Sequence, residues 1–232
     1  MPQNQESPVL SGLFFDPKVI LLLVLMLGLQ GCLSSSSGSV LRTVTAYVDD
    51  RRPQILTDEE INALGFGVLE VSIDGRAPIS MIFGGLDSRS YTLSFYSQDR
   101  ARLDMINGQV VRSRGFAVDV LERRPIGLNP FAVGLHKIES LRTFFWKVSL
   151  SNGARGLIAE SRYEPGNEST IVISGKSVSV TEMIEYWEIP ELGFKARNVF
   201  LYDDEGIVVA TRQSVNADTP RFETTLRSYR SR

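Results

Sequence analysis

Short runs of alternating apolar and polar residues, separated by two-residue turn signals, cover most of the chain beyond residue 65. Alternation with a period of two places every second side chain on the same face of a strand, as in a half-buried β-sheet. Asp74-Gly75, Asn107-Gly108 and Asn152-Gly153 each follow such a run, and these dipeptides favour the tight turns of β-hairpins. The pattern predicts a mainly β domain, built as an antiparallel sandwich or barrel with one or two short helices.

Local signals place the individual elements along the chain. Thr57 with Glu60 forms a capping box, which predicts a helix of about two turns that ends at Gly65. Gly84-Gly85 is interpreted as a turn, and the Pro- and Gly-containing stretch 123–137 as an irregular segment between two β halves. The predicted strands are residues 68–73, 80–83, 91–96, 102–106, 109–114, 116–121, 143–150, 156–163, 170–174, 177–180, 183–189, 199–202 and 207–213.

The composition excludes several function classes. The 232 residues include one Cys and one His, which excludes an intrachain disulfide and makes a Cys/His metal site an unsuitable interpretation. A Ser–His or Cys–His catalytic arrangement would have to use His136. The net charge of −2 gives no attraction to nucleic acid, and the chain carries no phosphate-loop or dinucleotide motif. We therefore expect no metal, no cofactor and no nucleic-acid partner.

The N-terminal segment has the sequence pattern of an export signal. Eleven uncharged residues, Val19–Leu29, follow Lys18, and this length suits a signal peptide but is too short to cross a bilayer. The segment closes with Leu29-Gln30-Gly31-Cys32, which resembles the lipobox of bacterial lipoproteins. The resemblance implies cleavage before Cys32, acylation of that cysteine with chains such as palmitate, and a membrane anchor. A short buried helix and a secreted protein cleaved elsewhere are the alternatives.

This interpretation divides the chain into three parts. Residues 1–31 are the predicted signal peptide, residues 32–42 a flexible Ser-rich tether, and residues 43–232 the β-rich domain. Lipoproteins retained at the inner membrane carry Asp directly after the acylated cysteine, whereas this chain has Leu33. We therefore expect a lipid-anchored protein at the outer membrane, on its periplasmic face.

Arginine is the one residue type that suggests a ligand. Of the 25 basic side chains, 20 are arginine, whose planar fork pairs with carboxylates such as those of uronic acids. Arg112 and Arg114 alternate on one face of a predicted strand, and Trp187 offers an aromatic ring for stacking on a sugar. These three residues are the predicted glycan contacts. The alternative is that the aromatic residues fill the core and the arginines only solvate the surface.

Two stretches of the domain resemble the YjbF/GfcB family of group 4 capsule and exopolysaccharide lipoproteins, and the likeness spans residues 44–226. The first stretch includes Leu93–Asp99 and the Asn107-Gly108 turn with its flanking strands. The second runs from Glu185-Tyr186-Trp187 to Asn198–Asp203 and Gly206–Val209. The resemblance implies a mainly β lipoprotein that works with exopolysaccharide secretion components, and it implies no catalytic residues.

Together these observations predict a non-enzymatic outer-membrane lipoprotein that supports capsule or exopolysaccharide production or export. It would bind the glycan itself or proteins of the secretion machinery. One alternative is a polysaccharide-modifying hydrolase that uses Asp203, Asp204 and Glu205, although adjacent residues of one turn rarely flank a substrate. Another is a β protein that carries lipid or lipoprotein in an apolar cavity.

The lipobox interpretation is tested by Cys32→Ser, which removes the thiol that would carry the lipid. We expect the variant to incorporate no labelled palmitate and to migrate at the size of the uncleaved precursor. Ser34→Ala, two residues away, is the control and should be processed like the wild type. Equal labelling of Cys32→Ser and wild type would contradict the interpretation.

Overall fold

The computed structural model describes residues 55–138 and 142–227, so the predicted signal peptide, Cys32 and the tether lie outside the described residues. The described residues form a twelve-stranded antiparallel sheet that curls into a nearly closed barrel with two short helices. The prediction of a mainly β, antiparallel fold is thereby confirmed. No helix in this part of the chain has the length and apolar character needed to span a membrane.

The elements follow one another with short connections. Helix α1 precedes the first strand and α2 follows the sixth, and two 3₁₀ turns cover Leu135–Lys137 and Pro190–Leu192. The elements are α1 Asp58–Leu64, β1 Val68–Ile73, β2 Ile79–Asp87, β3 Thr92–Tyr96, β4 Arg102–Ile106, β5 Gln109–Arg114, β6 Val120–Ile126, α2 Pro130–Val133, β7 Thr143–Leu150, β8 Leu157–Ile173, β9 Lys176–Ile189, β10 Phe194–Tyr202, β11 Val208–Gln213 and β12 Phe222–Leu226.

Every strand pairs with its neighbour along the chain except β5 with β6, and β1 also pairs with β12. The sheet order is therefore β5-β4-β3-β2-β1-β12-β11-β10-β9-β8-β7-β6, which leaves β5 and β6 as its two edges. These edges meet through side chains: Val120 N–H donates to Ser113 Oγ (2.8 Å), and Arg112 Nε donates to the Leu121 carbonyl (3.2 Å). We call the line along which β5 and β6 meet the seam.

The local signals of helix α1 and of the hairpins are confirmed. Thr57 accepts a hydrogen bond from the Glu60 amide, Glu60 accepts one from the Thr57 amide, and Gly65 ends the helix in the left-handed conformation. Asn107-Gly108 and Asn152-Gly153 lie between paired strands, as predicted.

One predicted turn and one predicted strand are wrong in position. Gly84-Gly85 lies inside β2 at a bulge, because a glycine at position 84 makes room for the Tyr96 ring, only 2.5 Å from where a Cβ would stand. The strand predicted at residues 116–121 instead begins at Val120, since the Asp119 carboxylate accepts hydrogen bonds from the Gly115 and Phe116 amides and shapes a turn there.

Four further strand assignments need correction. The segments predicted as separate strands at 156–163 and 170–174 belong to the single strand β8, and those at 177–180 and 183–189 to β9. A bulge between Pro165 and Glu168 absorbs the irregularity, so the hairpin continues through it. Strand β12 was not predicted, and β6 extends through Ile126 into the stretch expected to be irregular.

The interior is filled by three groups of apolar side chains. The largest is aromatic and includes Trp146, Trp187 and Phe200, with Phe131 of α2 packed edge-on against Phe200 at 4.8 Å between ring centroids. A second group lines β1–β5 and β12, and a third, smaller group joins β8 and β9 to β11. The packed aromatic interior positions β6 and β9, which carry the charged groups described below.

Polar side chains fasten the β4–β5 hairpin to β11. Asn107 Nδ2 donates to the Gly206 carbonyl (3.0 Å), and its Oδ1 accepts from the Val208 amide (3.0 Å). Gln213 accepts from the Val110 amide (2.9 Å) and donates to the Gly108 carbonyl (2.8 Å). These bonds hold the hairpin so close to β11 that a Cβ on Gly108 would lie 2.3 Å from Val208.

Gly108→Ala tests this close approach, and Gly153→Ala of the other Asn-Gly turn is the matched control. Both glycines have positive φ (+82° and +103°), but a Cβ on Gly153 meets no atom within 4 Å. We expect Gly153→Ala to lower the free energy of unfolding by about 1 kcal/mol from backbone strain, and Gly108→Ala by about 2–4 kcal/mol because overpacking is added. Urea denaturation measures both, and equal losses would contradict the packing argument.

Candidate functional site

A cavity of about 420 Å³ opens at the seam and is the best candidate for a binding site. Its wall is formed by β3, β4, β5 and β6 together with the end of β2 and the start of α2. It is lined by Asp87, Ser90, Thr92, Ser94, Arg102, Asp104, Ile106, Val111, Arg112, Glu122, Arg123, Arg124, Pro125 and Asn129. The volume falls in the range of small-molecule pockets.

One buried carboxylate organises the centre of this wall. Asp104 is 1 % exposed and accepts hydrogen bonds from Arg102 Nε (2.7 Å) and Ser94 Oγ (2.8 Å). The hydrogen bond to Asp104 raises the pKa of Arg102 above its ordinary value. Arg112 Nη1 lies 3.5 Å from the second Asp104 oxygen, at the limit of a hydrogen bond. Asp104 therefore fixes Arg102 firmly and holds Arg112 only loosely.

Arg112 and Arg114 lie on the same face of β5, as the alternation predicts, because they stand opposite Asp104 and Arg102 of β4. The Arg112 side chain is 59 % exposed, and its Nη2 carries no hydrogen bond to any described residue. Arg114 is exposed and has no ion-pair partner in the described part of the chain. Arg112 Nη2 and the Arg114 guanidinium are therefore available to an anion, and their contact with a glycan stays a prediction.

Trp187 lies elsewhere, in the aromatic interior. It is 1 % exposed, its Nε1 donates to the Val215 carbonyl (2.8 Å), and its ring packs against Trp146 at 6.3 Å between centroids. A ring that is packed on all sides cannot stack on a sugar in this conformation. The sequence pattern that places Trp187 on a strand does not reveal which face of the sheet is the interior.

A buried ion pair between Arg123 and Glu185 lies beside the Trp187 ring, and the sequence did not indicate it. Arg123 Nη2 and Glu185 Oε1 are 2.7 Å apart, and both side chains have no exposed surface. The Arg123 guanidinium lies 4.0 Å from the Trp187 ring centroid and 5.2 Å from that of Trp146, within range of cation–π attraction. Its Nε and Nη1 have no hydrogen-bond partner among the described residues.

Glu185 is the centre of this network. Its two oxygens accept from Tyr163 Oη (2.6 Å) and Asn198 Nδ2 (2.7 Å) in addition to Arg123. Burial, followed by the charge of Glu185, raises the pKa of Tyr163 well above its ordinary value, so the hydroxyl remains a donor. Asn198 continues the network to the Ser214 amide and carbonyl. The network therefore joins β6, β8, β9 and β10 within the core.

Asp203 and His136, which the sequence also offered as candidates, lie away from the seam cavity lining. Asp203 is buried and accepts hydrogen bonds from the Glu205 amide (3.0 Å) and the Ile207 amide (2.8 Å), so it shapes the β10–β11 turn, as expected for a hairpin turn. His136 is exposed and lies beside Tyr202, with 6.3 Å between ring centroids. The described residues contain no group of three or more side chains suited to hold a metal ion.

A second cavity, of about 370 Å³, opens between β1 and β9–β12. Its two arginines each face a carboxylate of their own, since Arg197 lies 3.4 Å from Glu182 and Arg212 lies 3.3 Å from Glu223. Glu70 adds a further carboxylate to the wall. This lining suits an anionic ligand less well than the seam cavity does.

Comparisons with known proteins point to one family. A family model described as group 4 capsule polysaccharide lipoprotein gfcB, YjbF, matches residues 41–226. The crystal structure of the hypothetical lipoprotein YmcC from Escherichia coli (K12) is similar, with a TM-score of 0.69 and 21 % identity, over 82 % of this chain and 95 % of that chain. At this identity, the likeness shows the fold. None of the curated proteins gives a significant match.

The buried Arg123–Glu185 pair gives a prediction for stability. Arg123→Met leaves the Glu185 charge buried without its ion-pair partner, and we expect a loss of about 3–5 kcal/mol in the free energy of unfolding. The double variant Arg123→Met/Glu185→Gln removes both charges and should recover a large part of this loss.

The exposed pair Lys195–Glu188, at 3.0 Å, is the control, and Lys195→Met should change stability by less than about 1 kcal/mol. Urea denaturation followed by tryptophan fluorescence measures all three variants. A double variant no more stable than Arg123→Met would contradict the explanation by an unpaired charge.

Proposed function

Because the chain belongs to the YjbF/GfcB family of group 4 capsule polysaccharide lipoproteins, we propose that it supports capsule or exopolysaccharide production or export by binding the polysaccharide without modifying it. The binding site in this proposal is the seam cavity. The observation that carries it is the Asp104 cluster, in which one buried carboxylate orients Arg102 while the exposed Arg112 keeps donors available.

The proposed ligand is an acidic polysaccharide, such as one that contains uronic acids. Arg112 presents a planar fork that matches a carboxylate, and charge-assisted hydrogen bonds of this kind are among the strongest in proteins. Glu122 already pairs with Arg124 (3.1 Å), and Asp87 is bound by the Arg89 amide and the Ser90 hydroxyl. We therefore place the ligand's carboxylate at Arg112, whose Nη2 has no hydrogen-bond partner among the described residues.

The proposed location is the periplasmic face of the outer membrane, with acyl chains on Cys32 as the anchor. This part of the proposal is supported by the lipobox Leu29–Cys32, by Leu33 in place of Asp, and by the family description as lipoproteins. The Ser-rich residues 34–39 would give the domain reach from the membrane.

Contact with a protein of the secretion machinery is a second candidate function. Ile126 and Phe145 stand opposite each other on β6 and β7 and are 49 % and 44 % exposed. Contiguous exposed apolar surface is a feature of protein contact surfaces, and this pair would form part of such a surface. This pair lies close to the seam cavity along β6, so a glycan and a protein partner would bind side by side.

A hydrolase and a lipid carrier receive less support than a binding protein. Asp203 is occupied by backbone amides of its own turn, which removes it as a free acid or base for a hydrolase. The interior of the described domain is filled by Trp146, Trp187, Phe200 and their neighbours, which leaves little room for a carried lipid. These observations favour binding of the polysaccharide over its modification or the transport of lipid.

Arg112→Ala tests the proposed site, with Arg197→Ala as the matched control because Arg197 is 52 % exposed and has a similarly long ion pair. We expect the wild type to bind polygalacturonate, a uronic-acid polymer, and not the neutral polymer dextran. Loss of a charge-assisted contact should weaken binding by Arg112→Ala about tenfold or more, with little change in Arg197→Ala.

Isothermal titration calorimetry at fixed low salt measures these affinities. In cells, Arg112→Ala should lower the amount of surface polysaccharide as deletion of the gene does. Equal affinity of the wild type for polygalacturonate and dextran, or unchanged binding by Arg112→Ala, would contradict the proposed site.

A further inference from the structure

Tyr96 is an exposed aromatic ring held beside the seam cavity. The ring is 41 % exposed and lies against Gly84 of β2, where a Cβ would come within 2.5 Å of two ring carbons. The Arg102 guanidinium also lies near the ring, 5.5 Å from its centroid. The glycine and the arginine thus hold the ring in place, and its remaining surface faces solvent. Tyr96 provides the accessible aromatic surface that the buried Trp187 does not.

The charges next to Tyr96 are unbalanced. Arg114 stands directly opposite Arg102 across β4 and β5, and like charges in that position repel each other. Asp104 is the carboxylate that Arg102 and Arg112 share, and Arg114 has no ion-pair partner in the described part of the chain. Across β4 and β5, three arginines (Arg102, Arg112 and Arg114) therefore share one carboxylate, Asp104, and a bound anion would relieve the repulsion.

Arg102 connects the ring to the cavity. It lines the cavity, binds Asp104 and approaches the Tyr96 ring. The row of Tyr96, Arg102 and Arg114 lies two residues along the strands from the row of Ser94, Asp104 and Arg112. Two residues of a strand span roughly 6.6 Å, so both rows belong to one continuous surface longer than a single sugar ring.

We propose that the polysaccharide site extends from the seam cavity onto a platform made of Tyr96, Arg102 and Arg114, so that it takes a polymer chain and not a single sugar. This inference rests on the proposed function. One sugar ring packs its C–H groups against the exposed part of the Tyr96 ring. An acidic group of the same or the next sugar binds Arg114, while a second acidic sugar occupies the cavity at Arg112.

The test compares polygalacturonate with the monosaccharide galacturonate. Tyr96→Ala removes the ring, and Gly84→Ala displaces it without changing Tyr96, since Gly84 does not have the positive φ that would strain an alanine. We expect both variants to lose about three- to tenfold in affinity for the polymer and none for the monosaccharide. Tyr96→Phe keeps the ring and should bind the polymer like the wild type. Tyr186→Ala, a tyrosine with 39 % exposure on β9, is the matched control and should also bind normally.

The outcomes separate the two proposals. If Arg112→Ala weakens binding while Tyr96→Ala and Gly84→Ala bind the polymer like the wild type, the platform is wrong and the cavity site stands. If Tyr186→Ala loses as much affinity as Tyr96→Ala, the effect is not local and the platform is also wrong. If the wild type binds neither probe, both proposals are overturned. Thermal unfolding of each variant confirms that it is folded before binding is compared.

Discussion

A sheet whose two edge strands meet without a backbone ladder needs another means of closure, and here side chains supply it. Ser113 and Arg112 of β5 bind backbone groups of β6, and Gln213 of β11 binds the backbone of β5 from within. Closure through side chains leaves space between the strands that a ladder would have filled. The seam cavity occupies this space, so the candidate site is a direct result of how the barrel closes.

The buried Arg123–Glu185 ion pair holds β6, the second strand of the seam. Arg123 belongs to β6, an edge strand, and its partner Glu185 belongs to β9 in the body of the sheet. Burying two charges is costly, and the cost is offset here by Tyr163, Asn198 and two tryptophan rings. This ion pair, together with the ladder between β6 and β7, positions β6 relative to the core. The cavity wall formed by Glu122–Pro125 is thereby set as well.

The sequence predicted the parts of this structure that depend on local chemistry. The capping box at Thr57 and the Asn107-Gly108 turn are correct because neighbouring residues determine them. Trp187 and Tyr96 show the limit, since both lie on strands with alternating patterns and only the fold decides which ring is buried. Arg123 was missed for a related reason, because a charge beside prolines and glycines resembles a solvated loop until Glu185 is placed next to it.

The path of the chain through the sheet also determines when folding can be completed. β1 pairs with β12, and Asn107 and Gln213 join segments about a hundred residues apart. Contacts of such high sequence separation form late and slowly, since the intervening chain must first be confined. A chain of this topology that crossed a membrane from its N-terminus onward would therefore expose the edge of β1 until β12 emerged, and the inner side of the β4–β5 hairpin until β11 emerged. With this order of emergence, the strands would need protection until β11 and β12 became available.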